Sequence, residues 1–505
     1  MRKLRFKLTA AVCLGIGLSG CSLTRPPAQV EAPVPTQWHA PLPHGGSLAS
    51  LANWWSQLDD PLLVELIAAA EAASPNVASA AARVAEARFT RVQAGAALLP
   101  SLDGTASASR GPVGLSSGGS GTGSGGGSSS SLSSSTPITT LQAGLQSKWE
   151  IDLFGRLRAD RDAAEAKQSS ANAKWHDARV AVAAETANAY FAERACQQQL
   201  RVSESDARSR AETSRLTDLS AKAGFTAPAD AALARASASD ASGRLTQQRA
   251  QCAVQRKALV SLSGIDETTL EQKLAAAPAQ RPLPAVGSIA SVPAEAISQR
   301  PDVYAAELGV ASASADVGSA EAERYPKLTV SGSIGRSQYR VSGVHQSLET
   351  WTVGPISLTV PLLDGGSRKA NADAAKARYA EAVSLYRANV RQAVREVEEA
   401  LVNLDATNAR TTDADAAVKN YQASFDATQA RYSSGLASLF ELEDSRRTLF
   451  SAQTARVSLQ RERTEAWVAL YRSMGGGWNR QTAQGPSSES SSMTASPAAK
   501  VATSP

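Results

Sequence analysis

Residues 156–223 and 367–434 of this 505-residue chain, 68 positions each, contain neither glycine nor proline. Proline removes a backbone donor and glycine costs conformational entropy, so their absence over such lengths predicts two very long helices. At about 1.5 Å per residue each would extend roughly 100 Å, which argues against a compact enzyme fold. Histidine is also scarce. His39, His44, His176 and His345 show no metal-ligand spacing and stand near no nucleophile motif. Gly121, Gly123 and Gly126 match a dinucleotide fingerprint, but inside a Ser/Gly tract with no helix after it. No catalytic residue, metal site or cofactor is expected, and the chain reads as no enzyme. Basic clusters interleaved with aromatics are missing as well. Arg2, Lys3, Arg5 and Lys7 carry most of the formal net charge of +5, so nucleic acid is not an expected partner.

What is present is a repeat. Gly155, Gly224 and Gly264 recur as Gly366, Gly435 and Gly475, each pair 211 residues apart. This predicts two copies of one unit. The first, 51–280, comprises a helix, a β-hairpin 101–154, a long helix 156–223 and a return helix 225–263. The second, 281–478, comprises a helix, a β-hairpin 327–364, a long helix 367–434 and a return helix 436–474. Gly224 and Gly435 are the expected tip turns, where a left-handed residue ends a helix. In the hairpins the apolar period becomes two: Leu141, Ala143, Leu145, Trp149 and Ile151 alternate with polar residues, as do Leu328, Val330 and Ile334, and Ile356, Leu358 and Val360. Gly354 and Pro355 predict a bulge. A Gly/Ser-rich tract, Gly114–Ser135, is the extra length in the first copy. Strands with one apolar face suit a transmembrane barrel with a wet interior. Four strands cannot close one, because open edges in lipid leave backbone groups unpaired, so the chain is expected to oligomerise.

At the start, a basic segment and an apolar run Leu8–Leu18, too short to span a bilayer, read as a signal peptide over 1–20. Leu18-Ser19-Gly20-Cys21 resembles the lipobox of bacterial lipoproteins, which implies a covalent lipid on Cys21, and Ser22 favours the outer membrane. Residues 21–50 are Pro-rich and read as an extended, lipidated tether, while 479–505 read as a disordered tail. Cys196 and Cys252 each lie 28 residues from Gly224, on opposite sides of it. Equal helical rise makes a disulfide geometrically plausible, the alternative being two buried thiols.

Four runs are more specific: Trp54-Trp55 with Asp60-Pro61; Trp149-Glu150-Ile151-Asp152-Leu153-Phe154-Gly155-Arg156; Arg300-Pro301-Asp302-Val303; and Pro361-Leu362-Leu363-Asp364-Gly365-Gly366. Over roughly residues 50–478 these resemble the outer membrane factor (TolC-like) family of tripartite efflux pumps, and the lipobox resembles its NodT-type lipoprotein branch. The resemblance implies a mixed, mainly α fold. It would be a homotrimeric 12-stranded transmembrane β-barrel, four strands per chain, continued by a long periplasmic α-helical coiled-coil tunnel. It also implies a passive exit duct for small molecules, set in outer membrane lipids and docked to a periplasmic adaptor and an inner-membrane pump of the resistance-nodulation-division class. By the same resemblance Glu441 and Asp444, three residues apart on one helix face, would form a periplasmic acidic ring, and Asp230 with Tyr432 a link that holds the gate shut. Ala437 stands where some relatives carry a basic partner for that link. Two other readings stay open: a type I secretion exit duct for proteins or peptides, and a non-transporting envelope scaffold.

Overall fold

The computed structural model describes residues 24–35, 54–112, 137–276, 297–341, 344–478 and 480. The signal segment, Cys21 and the Gly/Ser tract lie outside the described residues. So does the tail, apart from Arg480, which is held: its guanidinium donates to Ser298 O at 3.1 Å and Glu307 at 2.7 Å and lies over Tyr304.

The helices are α1 (Pro61–Ala73), α2 (Pro75–Ala96), α3 (Arg156–Lys222), α4 (Pro228–Ser263), α5 (Glu267–Ala276), α6 (Pro301–Ala322), α7 (Ser367–Ser433) and α8 (Leu439–Ser473). Those named α3 and α7 are 67 residues each. The strands are β1 (Ser101–Pro112), β2 (Pro137–Ile151), β3 (Lys327–Val341) and β4 (Val344–Thr359). Contacts divide the chain into two units, and α2, α3, α6 and α7 each contribute to both.

One unit (Met1–Val30, Ala85–Gln168, Leu308–Ser384) holds a single antiparallel sheet in the order β1-β2-β3-β4. Its register follows from the alternation: Leu145 faces Gly104 and Ile334, and Ile334 faces Trp351, so apolar side chains share one face. Thr105, Gly144, Gly335 and Thr350 form the adjoining row on the polar face. The pairing slips between Val330 and Gly332, opposite Gly354 and Pro355. That is the bulge the Gly-Pro pair predicts, because proline has no N–H for the ladder. On the apolar face Ile334, Trp351, Ile356 and Leu358 are exposed. Strand leads into helix through carboxylate caps. Asp152 accepts from the N–H groups of Leu157 and Arg158, and Asp364 from those of Gly366 and Arg368. The tether is not free along its described part: Arg25 pairs with Asp162, Ser314 donates to Pro26 O, and the Tyr379 hydroxyl donates to Pro27 O.

The other unit (Glu31–Val84, Ser169–Glu307, Leu385–Pro505) contains the main hydrophobic core. Trp54 packs on Trp467 with ring centroids 4.5 Å apart, and Leu63, Leu66, Leu259, Leu270 and Leu401 are fully enclosed. Asp60 caps α1 and accepts from the buried Tyr190 hydroxyl at 2.6 Å, and burial with this carboxylate pushes the phenol up to about 12. Arg300 is buried and bonds to Asp302, Glu396 and Ser473 O. The Trp-Trp and Arg-Pro-Asp-Val motifs are therefore fastenings of the core.

Candidate functional site at the two helical turns

Both long helices end in the same way. Phe225 N donates to Ser220 O and Gly224 N to Ala221 O; Leu436 N donates to Arg431 O and Gly435 N to Tyr432 O. These are Schellman closures, which require a left-handed residue, and Gly224 and Gly435 supply it with φ of +82° and +74°.

The helices that follow start differently. Helix α4 begins at Pro228 with no side-chain cap, whereas α8 begins with a capping box, in which Glu441 N donates to Ser438 Oγ at 3.2 Å and Ser438 N to Glu441 Oε2 at 2.7 Å. These bonds to Ser438 hold the Glu441 carboxyl below the usual carboxylate range, and Arg431 stands 3.9 Å away. Asp444 pairs with Arg447. The acidic pair is exposed and shares a face, but it is not two free carboxylates, because Glu441 closes its own helix terminus. The signal was present as Ser438-Leu439-Phe440-Glu441.

Asp230 is exposed in the first turn of α4. The Tyr432 hydroxyl lies 3.3 Å from Thr217 Oγ1, and among the described residues no hydrogen bond joins it to Asp230 within the protomer. Tyr432 instead borders a small apolar cluster of Ala234, Phe425, Leu439, Leu442 and Leu449. Further along the first hairpin, Cys196 and Cys252 form a disulfide with Cα atoms 5.5 Å apart, joining α3 to α4.

A constellation that sequence reasoning missed sits behind the turns. Arg210 of α3 donates to Asp206 at 2.9 Å, to Ser237 of α4 at 2.6 Å, and to Glu443 of α8. Ser237 Oγ donates to Glu443 at 2.7 Å, and Arg446 of α8 bonds to Glu443 and to Thr213 of α3 at 3.0 Å. The side chains of Asp206, Arg210 and Arg446 are all below 10 % exposed. Burial lowers the Arg446 guanidinium from its ordinary value. Charges this deep persist only when paired and hydrogen-bonded, so the cluster ties the first helical hairpin to the second in one arrangement. One clue was legible. Arg446 falls in the 3-4-3 spacing of Leu439, Leu442 and Leu449, a charged residue at a core position.

A family model described as outer membrane efflux protein matches residues 66–265 and 292–476. The chain is 30% identical over 476 residues to the solvent efflux pump outer membrane protein SrpC of Pseudomonas putida, covering 92% of this chain and 96% of that one. It is 28% identical to nodulation protein T of Rhizobium leguminosarum bv. viciae, covering 94% of each. A crystal structure of a membrane protein from Pseudomonas aeruginosa superposes with a TM-score of 0.76 at 26% identity, covering 90% of this chain and all of the other.

Proposed function

The chain belongs to the outer membrane efflux protein family, and we propose that it is the passive exit duct of a tripartite pump of the resistance-nodulation-division class, carrying small molecules from a periplasmic adaptor to the exterior. It is an outer membrane channel, not an enzyme, and its fold is that of a trimer with a β-barrel and a periplasmic helical tunnel. One observation carries the reading. Among the described residues each chain has four strands with an exposed apolar face and two open edges, at β1 and β4, on the same polypeptide as two 67-residue helices. Edges cannot stay open in lipid, and three copies supply twelve strands to close them.

The mechanism then needs no reacting group. Energy comes from the pump, and the channel contributes a path with an electrostatic filter and a closure. The filter we propose is Glu441 and Asp444, repeated by the threefold axis, which would favour cations. The capping bonds hold the Glu441 carboxyl below its ordinary value and so favour its charged form. The closure involves the turns themselves, where an adaptor would dock, with Tyr432 and Asp230 as candidate contacts between neighbouring subunits. The lipobox resemblance supports a lipid on Cys21. On that reading Cys21→Ala lowers assembly without abolishing export, and complete loss of export at normal trimer levels would contradict it.

The test is complementation. Expressed in a strain lacking its own outer membrane channel but retaining adaptor and pump, the protein should restore drug resistance and dye extrusion. Restored secretion of a protein substrate without drug extrusion would instead establish the type I duct.

A further inference from the structure

The apolar face of the sheet is not uniform. Between the row Gly104, Leu145, Ile334, Trp351 and the row Ala106, Ala143, Arg336, Glu349 lies a depression of about 690 Å³. Its floor is kept low by Gly104, Ala106 and Ala143, which carry no side chain beyond Cβ on this face. Leu145, Ile334 and Trp351 wall one side, and Arg336 and Glu349 the other. The strands join α2 and α3 at one end of the sheet, and Pro112, Pro137, Val341 and Val344 stand at the other. Toward those ends the same face changes from apolar to basic: Arg110, Thr139, Arg340 and His345 form the outermost row that runs through all four strands.

These charges are barely used within the protomer. Arg336 approaches Glu349 only to 4.0 Å, with both side chains more than half exposed, and Arg340 donates to His345 Nδ1 at 3.2 Å. Arg110 is exposed. Three guanidinium groups against one carboxylate leave the rim net positive, immediately above an apolar notch. At the end of a lipid-facing strand guanidinium groups reach the headgroup layer, where an anionic group can pair with them at that height.

We propose that this face binds a phosphate-bearing lipid of the outer leaflet, with acyl carbons in the notch beside Trp351 and phosphate groups on Arg336, Arg340 and Arg110. Guanidinium groups pair with phosphate in two-pronged fashion, which a lysine rim would not reproduce. Repeated by the threefold axis, the site becomes a belt that fixes the height of the barrel in the membrane. The inference rests on the barrel reading and goes beyond efflux.

The experiment uses the full-length trimer in uncharged detergent and two probes, lipid A with its phosphates and the same lipid after their enzymatic removal. The wild type is expected to bind the phosphorylated form about tenfold more tightly or better. The triple variant Arg110→Gln, Arg336→Gln, Arg340→Gln loses the difference, and Glu349→Gln enlarges it. Equal affinity of the wild type for both lipids overturns the proposal, and so does a folded triple variant that keeps the full preference. If the triple variant does not form trimers, the wild-type comparison and Glu349→Gln still decide. Planar-bilayer conductance separates the two levels: a conducting trimer indifferent to phosphate refutes the lipid site alone, while a trimer that neither conducts nor discriminates refutes the barrel reading with it.

Discussion

At Gly224 and at Gly435 the chain makes the same backbone closure, yet the two hairpins are secured by different chemistry. The first is stapled by Cys196–Cys252. The positions 211 residues on are Thr407 and Arg463, which cannot form such a bond. The second hairpin instead carries the Ser438–Glu441 capping box and contributes Glu443 and Arg446 to the buried ionic cluster. The first-copy counterparts of those two are Ala232 and Arg235, and Arg235 stays at the surface, paired with Asp218 at 2.6 Å. Duplication thus preserved the path of the backbone while the means of holding it diverged. One hairpin is fixed covalently within itself, and the other is attached to its neighbour through charges that can separate.

The largest expected effect breaks that attachment. Glu443→Ala leaves Arg210 and Arg446 buried without their shared carboxylate and should cost about 3–5 kcal/mol in the opening free energy of α8, read by hydrogen exchange on the whole protein. Asp218→Ala, which cuts the surface pair of the first copy, should cost under about 1 kcal/mol. Equal losses would erase the distinction between the hairpins.

Next comes the staple. Replacing Cys196 and Cys252 by serine should cost the first hairpin about 4 kcal/mol by the chain-entropy model, and leave exchange in α7 and α8 nearly unchanged. A loss spread evenly over both hairpins would mean that they open as one unit.

The turns themselves should respond less. Gly435→Ala meets no neighbouring atom within 4 Å, so only its left-handed φ opposes a side chain, at about 1–2 kcal/mol. Gly475→Ala adds to a positive φ a clash of the new Cβ with Gln299 O, and should be the worse tolerated of the two in trimer yield.

Smallest is a pH effect. The Glu441 carboxyl titrates below its ordinary value in the folded chain, so its stabilising contribution is complete above the usual glutamate range and is lost as pH falls through the lowered value. Amides at the start of α8 should exchange faster in acid, and Glu441→Gln, which can still close a capping box, should remove that dependence. An unchanged acid response in Glu441→Gln would show that the box is not its source.

The glycine spacing, the breaker-free runs and the period-two segments made the fold legible, because each is a local rule written along one element. The tip was legible only in part. Gly224 and Gly435 declare their turns, whereas Arg210 and Arg446 look like two more surface charges on charged helices. Their burial arises where α3, α4 and α8 meet, a tertiary fact that no single helix carries. The resemblance that pointed to Asp230 with Tyr432 did not include Thr217, whose hydroxyl lies 3.3 Å from that of Tyr432.

Single-channel recording of the purified trimer in a planar bilayer tests the central claim, a membrane-spanning duct closed at the turns. Discrete, cation-preferring conductance steps are predicted, growing larger when Glu443→Gln loosens the join between the hairpins. No conductance from folded trimers, in either the wild type or Glu443→Gln, would contradict it.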